Sequence, residues 1–327
     1  MPWTYYRSTD ASAPVLSGTA GSLIALLDAI LVNGYGSKPA AGWTKAFTGT
    51  NRAAYRLGAG RTQAYLRVRD DAGGTAGAKE AQVRVFETMT DVDTGTNPMP
   101  KTGQTAITDT SFILRKSNLA DSSARAWAAV ADARTLLIFT DHGNGNTWCP
   151  HYFGEFYSFL PSDAYGYGIF ARHAENSTAD AGVSGAGNCA SSQGVTGLSG
   201  NLIARDYSGT NLSIQPDKVW GVGLHSNSGN NNFAGIAPFP NPIDGGLLLS
   251  EVFLRTGEFG THNLRGKLRG FWATPSSPGV MPFSAFDTVS GTGSLAGRTF
   301  VWVPNVYGST TSGHLFIEIS DTVPATP

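Results

Sequence analysis

Charge is what this chain has least of. Only 14% of its 327 residues are Asp, Glu, Lys or Arg, against roughly a quarter in an ordinary soluble domain, and the formal net charge is -1. There is no basic run, which argues against affinity built on neutralising phosphates, and nucleic acid is not an expected partner. A surface so poor in charge has little long-range repulsion to keep copies apart. It suits close packing in an assembly, although many extracellular β proteins share the trait.

Long apolar runs are also missing. The best, residues 23–32, is about ten residues long, half of what a bilayer core requires, and Asp28 interrupts it. No membrane span is expected. Residues 1–10 carry three aromatics and no apolar stretch after a basic start, so they do not read as a secretory signal. The expected setting is the cytoplasm until assembly. Cysteine is nearly absent. Cys149 and Cys189 could pair, but two buried thiols in a reducing compartment are the expected state, and no disulfide framework is implied.

The signatures of common chemistry are missing too. The chain has no G-x-x-x-x-G-K-[ST], no G-x-G-x-x-G between a clear strand and helix, no H-E-x-x-H and no G-x-S-x-G elbow, which removes the usual signs of nucleotide binding and of the common hydrolases. Two weaker constellations remain. Asp141, His142, Cys149, His151 and Glu155 form the one dense polar cluster, and His151 and Glu155 with Asp141 or His142 could supply mixed ligands to zinc. The blander reading, histidines beside a Gly/Asn-rich loop that hydrogen-bond or face solvent, is preferred. A glycosidase-like role would need paired carboxylates such as Glu155 and Asp163, but 24 acidic residues always offer some pair. The sequence therefore assigns no catalytic residue, no metal ligand and no cofactor.

What is abundant is turn chemistry, with 41 Gly and 17 Pro. That is too many for a chain of long helices. One segment is helical. In residues 17–34 the apolar positions Leu23, Ile24, Leu27, Ile30 and Leu31 recur at intervals of three and four, with Ser or Thr available as the cap and Gly34 as the stop. Downstream the period becomes two. Residues 62–69 alternate as a half-buried strand, Asp70-Asp71-Ala72-Gly73-Gly74 reads as its turn, and residues 81–87 return as its antiparallel partner.

Residues 88–105 are turn-rich and read as a linker or a long surface loop. Leu136-Leu137-Ile138-Phe139 is a continuous apolar run, expected in a strand covered on both faces. Residues 152–160 are also strand-like. Residues 298–303 and 314–319 alternate as a closing hairpin around a loop at 305–313. Residues 176–200 and 225–234 are Gly-, Ser- and Asn-rich and read as extended loops, either contact devices or decoration.

The expected fold is mainly β, with α+β character at the N-terminus: antiparallel sandwich or barrel-like units and one amphipathic helix near residues 19–33. The expected domains are an N-terminal α+β unit at 1–118 and a C-terminal β-rich unit at 119–327, with a single composite domain as the alternative. The tryptophans Trp3, Trp43, Trp127, Trp148, Trp220, Trp272 and Trp302 are read as core or interface anchors in preference to a saccharide platform. With interface aromatics lacking their partners, the isolated chain is expected to be folded but under-assembled.

The run Ala13-Pro14-Val15-Leu16-Ser17-Gly18-Thr19-Ala20-Gly21-Ser22-Leu23, with Leu27-Asp28 and Asn33-Gly34-Tyr35-Gly36, resembles the opening of tailed-bacteriophage virion structural proteins. Similar blocks follow at Gly42-Trp43-Thr44-Lys45, Phe47-Thr48-Gly49-Thr50-Asn51, Ala54-Tyr55-Arg56, Leu66-Arg67-Val68-Arg69-Asp70-Asp71, Trp127 with Ala131-Asp132-Ala133-Arg134, Tyr152-Phe153-Gly154-Glu155, Asp163-Ala164-Tyr165 and Leu268-Arg269-Gly270-Phe271-Trp272. The resemblance spans most of the chain and carries no catalytic signature. It implies a virion location, in the tail, baseplate, neck or capsid surface, and transfers no active site; the leading expectation is a non-enzymatic component of the tail or baseplate whose partners are other virion proteins and copies of itself. A receptor-binding or capsid-decorating module, touching a host surface glycan through the polar loops, is the second expectation. A wall- or polysaccharide-degrading enzyme is the third.

Overall fold

In the computed structural model, the residues described are 3–58, 60, 62–71, 77–104, 110–141, 148–171, 201–214, 218–220, 237–256, 263–276, 281–303 and 315–320. Among the described residues, three larger antiparallel sheets stack face to face, a fourth has two strands, and none closes into a barrel.

The N-terminal sheet runs β2 (Thr44–Gly49), β3 (Arg52–Arg56), β4 (Tyr65–Arg69), β5 (Glu80–Phe86) and β8 (Phe112–Arg115), in that order. The expected hairpin is present, with Tyr65 opposite Phe86 and Arg69 opposite Gln82. Its outer face is not left to solvent. Residues 88–105, expected as a linker or a long surface loop, contain a small hairpin, β6 (Thr88–Asp91) with β7 (Thr94–Thr96). Met89 packs there on Ala54 and Phe86, while Asp93 receives Arg67 at 2.6 Å. That buries Arg67, on the strand face opposite Leu66 and Val68, where the period-two alternation alone predicts exposure.

The helix is also present. Ser22–Leu27 (α1) is α-helical and continues as a wider π-type turn through Asp28–Asn33, ending on Gly34 at φ 75°. A positive φ of this kind favours glycine. No Ser or Thr side chain caps it; the residue before it is Gly21. The cap comes from Asp70, whose Oδ2 accepts from the amides of Leu23 (2.7 Å) and Ile24 (3.4 Å), satisfying donors the first turn leaves open.

The central sheet runs β1 (Thr4–Arg7), β9 (Trp127–Ala131), β10 (Thr135–Asp141), β11 (Trp148–Glu155), β13 (Tyr167–Ala171), β14 (Asn201–Arg205) and β15 (Leu212–Ile214). Its side chains alternate between two cores, as period-two geometry requires. Leu136, Ile138, Phe153, Ile169 and Leu202 join the helix and the N-terminal sheet in one core. Leu137, Phe139, Tyr152, Phe170 and Ile203 enter a second core against the third sheet. The Leu-Leu-Ile-Phe run is therefore covered on both faces. The first core draws on residues from both sides of position 118, and β1 pairs with β9.

The third sheet runs β16 (Lys218–Trp220), β17 (Ser250–Thr256), β18 (Asn263–Ala273), β21 (Leu315–Glu318), β20 (Thr299–Val303) and β19 (Thr288–Ser290), and β12 (Tyr157–Ser158) also pairs with β18. The expected closing hairpin is β20 with β21. Part of this sheet's outer face is covered by Leu247, Met281 and Phe283 packed on Phe300, Trp302 and Phe316. Among the described residues, no helix is long and apolar enough to cross a membrane.

Candidate functional site

The polar cluster expected from sequence does not converge. His151 sits on β11 opposite Ile138, buried, with its ring parallel to Phe153 at 6.2 Å between centroids. Neither ring nitrogen has a hydrogen-bond partner among the described residues. Burial alone pushes the imidazole down to about 3, so it is neutral at ordinary pH. Glu155 lies four residues further along the same strand, about 13 Å away at strand rise, so the two cannot share a metal ion. Asp141 closes β10 opposite Trp148, and Cys149 lies opposite Thr140. His142 and Cys189 lie outside the described residues, as do the polar loops at 176–200 and 225–234. Among the described residues no group of three His, Cys, Asp or Glu side chains is placed to hold a metal.

The two candidate carboxylates are scaffold ties. Glu155 Oε1 accepts the Thr62 amide at 3.0 Å, and Oε2 lies 3.7 Å from Arg134. Gly60, at φ +108°, allows this approach: a Cβ there would lie 2.2 Å from Oε1. Asp163 binds Arg265 through both oxygens, Nε to Oδ2 and Nη2 to Oδ1, each at 3.0 Å. Ser158 Oγ adds a bond of 2.7 Å to Oδ2, and the Tyr207 ring covers the guanidinium at 4.4 Å.

A third tie had no sequence signal, because its partners are 137 positions apart. Asp132 Oδ1 accepts the amides of Arg134 and Thr135, both at 2.9 Å, and Oδ2 accepts Arg269 Nη2 at 2.7 Å. The Asp132 carbonyl accepts Trp43 Nε1 at 2.7 Å. One residue thereby joins all three layers.

The tryptophans are mostly internal. Trp3, Trp43, Trp127 and Trp302 are buried within the chain, the core alternative of the core-or-interface expectation. Trp148 and Trp272 are half-buried, and the Trp220 side chain is outside the described set.

A surface groove does exist where sequence reasoning placed nothing. In β18, Gly266 and Lys267 pair with β12, whereas Phe271, Trp272 and Ala273 pair with β21. Against β17 the register jumps from Trp272 opposite Glu251 to Lys267 opposite Phe253. The change of partner splits the sheet between Tyr157 and Glu318. Tyr157, Glu251, Lys267, Trp272, Arg298 and Glu318 line the opening. Lys267 is ion-paired to Glu251 and lies 4.9 Å from the Tyr157 ring centroid. Across the groove, Glu318 Oε2 accepts Trp272 Nε1 at 3.1 Å and lies 3.5 Å from Arg298, whose guanidinium is 5.3 Å from the Trp272 ring. Neither Glu155 nor Asp163 lines this groove.

No family model matches the chain, and no curated protein matches it.

Proposed function

We propose that this chain is a non-enzymatic structural component of a tailed-phage virion, of tail or baseplate type, present in several copies and acting through surfaces shared with other virion proteins. The virion assignment rests on the sequence resemblance. The observation that carries the structural part is the use made of the chain's best candidates for chemistry: Glu155 and Asp163 stitch loops to strands, and His151 is sealed between layers. A carboxylate locked on a buried guanidinium holds a fold together but is poorly placed to shuttle protons.

The surface supplies contact material instead. Val15 and Leu119 are 60% and 55% exposed on neighbouring segments, since a Cβ on Gly18 would strike the Leu119 carbonyl. Ile243 stands 92% exposed at the tip of a turn. Low surface charge makes close contact between subunits cheap in desolvation. Quantitative mass spectrometry of gradient-purified particles tests the proposal: peptides of this chain are expected at a copy number fitting a symmetric ring or its multiple. Their absence from particles would reject it.

A receptor-binding module is the second reading, favoured by the groove on the third sheet. It shares the virion setting but puts the useful surface at the groove.

A further inference from the structure

We propose that the buried side chains of Asp70 and Lys116, each the first residue after a strand (β4 and β8), close into an intramolecular isopeptide bond. This goes beyond the structural reading and does not depend on where the chain resides.

Both side chains are 0% exposed, and Lys116 Nζ touches Asp70 Oδ1. A nitrogen bonded to one carboxylate oxygen lies roughly 3–3.5 Å from the carboxyl carbon, the separation of reacting atoms in a near-attack arrangement. Both backbones are pinned. The Asp70 amide donates to the Asn51 carbonyl and its carbonyl accepts from Gly21, each at 2.8 Å, while the Lys116 amide donates to the Lys79 carbonyl at 2.9 Å. The ammonium is held from its other side by the Thr19 carbonyl at 2.6 Å and Ser22 Oγ at 3.3 Å. The second carboxylate oxygen, Oδ2, accepts from the amides of Leu23 and Ile24. These two fixed donors stand where the negative charge of an addition intermediate would gather.

The step is a condensation and needs no co-reactant. A proton passes from the ammonium to Oδ1, leaving a neutral amine and a neutral acid. The Nζ lone pair then adds to Cγ and charge collects on Oδ2. A second Nζ proton moves to Oδ1, the Cγ–Oδ1 bond breaks, and water departs. Thr19 is exposed, so the water has one residue to pass. Two buried charges vanish with their desolvation cost, yet Oδ2 keeps the Leu23 and Ile24 amides and the remaining Nζ–H keeps the Thr19 carbonyl. Burial pushes the carboxyl up and the ammonium down, toward the neutral pair, and a desolvated neutral amine is the nucleophilic form of lysine. Each partner opposes the shift of the other, so the neutral pair is a minor population and closure is slow. Freshly folded chain carries the ion pair and ages into the amide. No other molecule is turned over, so the non-enzymatic reading stands.

Intact-mass spectrometry of the purified full chain, sampled from folding through two weeks at physiological temperature, tests this. The folded wild type is expected to become lighter by one water. Its tryptic digest is expected to contain a branched peptide in which Lys116 Nζ is acylated by Asp70, with no cleavage after Lys116. Lys116→Arg keeps the charge but lacks the nucleophile, and it is expected to hold its full mass. Should that variant fail to fold, wild type kept unfolded in guanidinium chloride is the second control, expected to hold its full mass because the pair is not assembled. Folded wild type that remains at full mass would overturn the proposal. So would a lost water that maps elsewhere, as in a succinimide at Asp244-Gly245, or one lost equally from the variant or the unfolded chain.

Discussion

Asp70 holds Lys116 in an ion pair with both side chains fully buried, and its other carboxylate oxygen caps the helix at Leu23. The Lys116 ammonium also donates to the Thr19 carbonyl at 2.6 Å. Burial pushes the Asp70 carboxyl up and the Lys116 ammonium down, and each partner opposes the shift of the other. A single aspartate thus ties the helix, the strand β4 that it follows and the segment after β8 into one unit.

Removing one partner of such a pair strands the other charge. Asp70→Ala is expected to cost about 3–5 kcal/mol, with loss of the helix cap inside that figure. The double variant Asp70→Asn with Lys116→Met is expected to recover much of the loss, since no buried charge is left. Urea denaturation of freshly folded chain measures both. A cost below about 1 kcal/mol for Asp70→Ala would show the pair to be incidental.

His151 predicts an acid sensitivity with a definite sign. Its folded value is about 3 and its ordinary value 6.5. Between these the unfolded chain binds a proton that the folded chain refuses. The stability is therefore fully present above about pH 6.5 and falls as pH drops toward 3, by about 1.4 kcal/mol per pH unit from this residue. His151→Phe keeps a ring beside Phe153 and removes the proton. Between pH 6.5 and 4.5 the wild type is expected to lose about 2–3 kcal/mol more than the variant. Equal losses would place the imidazole in contact with water.

The carboxylates first considered as an acid/base pair should behave as structural groups of unequal weight. Asp163→Ala leaves Arg265 buried and unpaired and is expected to cost about 3–5 kcal/mol. In Glu155→Gln the amide oxygen can still accept from Thr62, so a loss of about 1 kcal/mol is expected. Thermal and chemical denaturation of the two variants check the order. A reversed order would mean that the Arg265 tie carries little.

Strand β10 should be sensitive on both faces. Leu136 and Leu137 enter different cores, so replacing either with alanine is expected to cost about 2–5 kcal/mol. One near-neutral substitution of the two would show that only one of the outer layers is firmly packed on the central sheet.

Local patterning made some of this legible. The spacing of Leu23, Leu27, Ile30 and Leu31 marked the helix, the alternation around Leu66 and Val83 marked the hairpin, and the unbroken run at Leu136 marked a strand buried twice. What local patterning missed was supplied from far along the chain. Asp70 caps the helix from 47 positions past Leu23, so the cap could not be read from its own flank. Arg67 is buried because Asp93 reaches it from a hairpin that read as a linker. The groove exists because β18 changes partners, and pairing between strands leaves no mark on residue spacing. The nearness in sequence of His151 and Glu155 was misleading for the opposite reason: an extended strand sets residues four positions apart about 13 Å from each other, more than one metal ion can span.

The central claim is that this fold contributes surfaces to a particle and performs no covalent chemistry on other molecules. A reconstruction of the whole phage particle tests it most directly. The account predicts several symmetry-related copies of the three-layered β fold in the tail or baseplate, with Val15 and Leu119 covered by neighbouring subunits. A particle without the chain, or a single unattached copy whose activity on cell-wall polymer is abolished by substituting Glu155 or Asp163 in a folded variant, would contradict it.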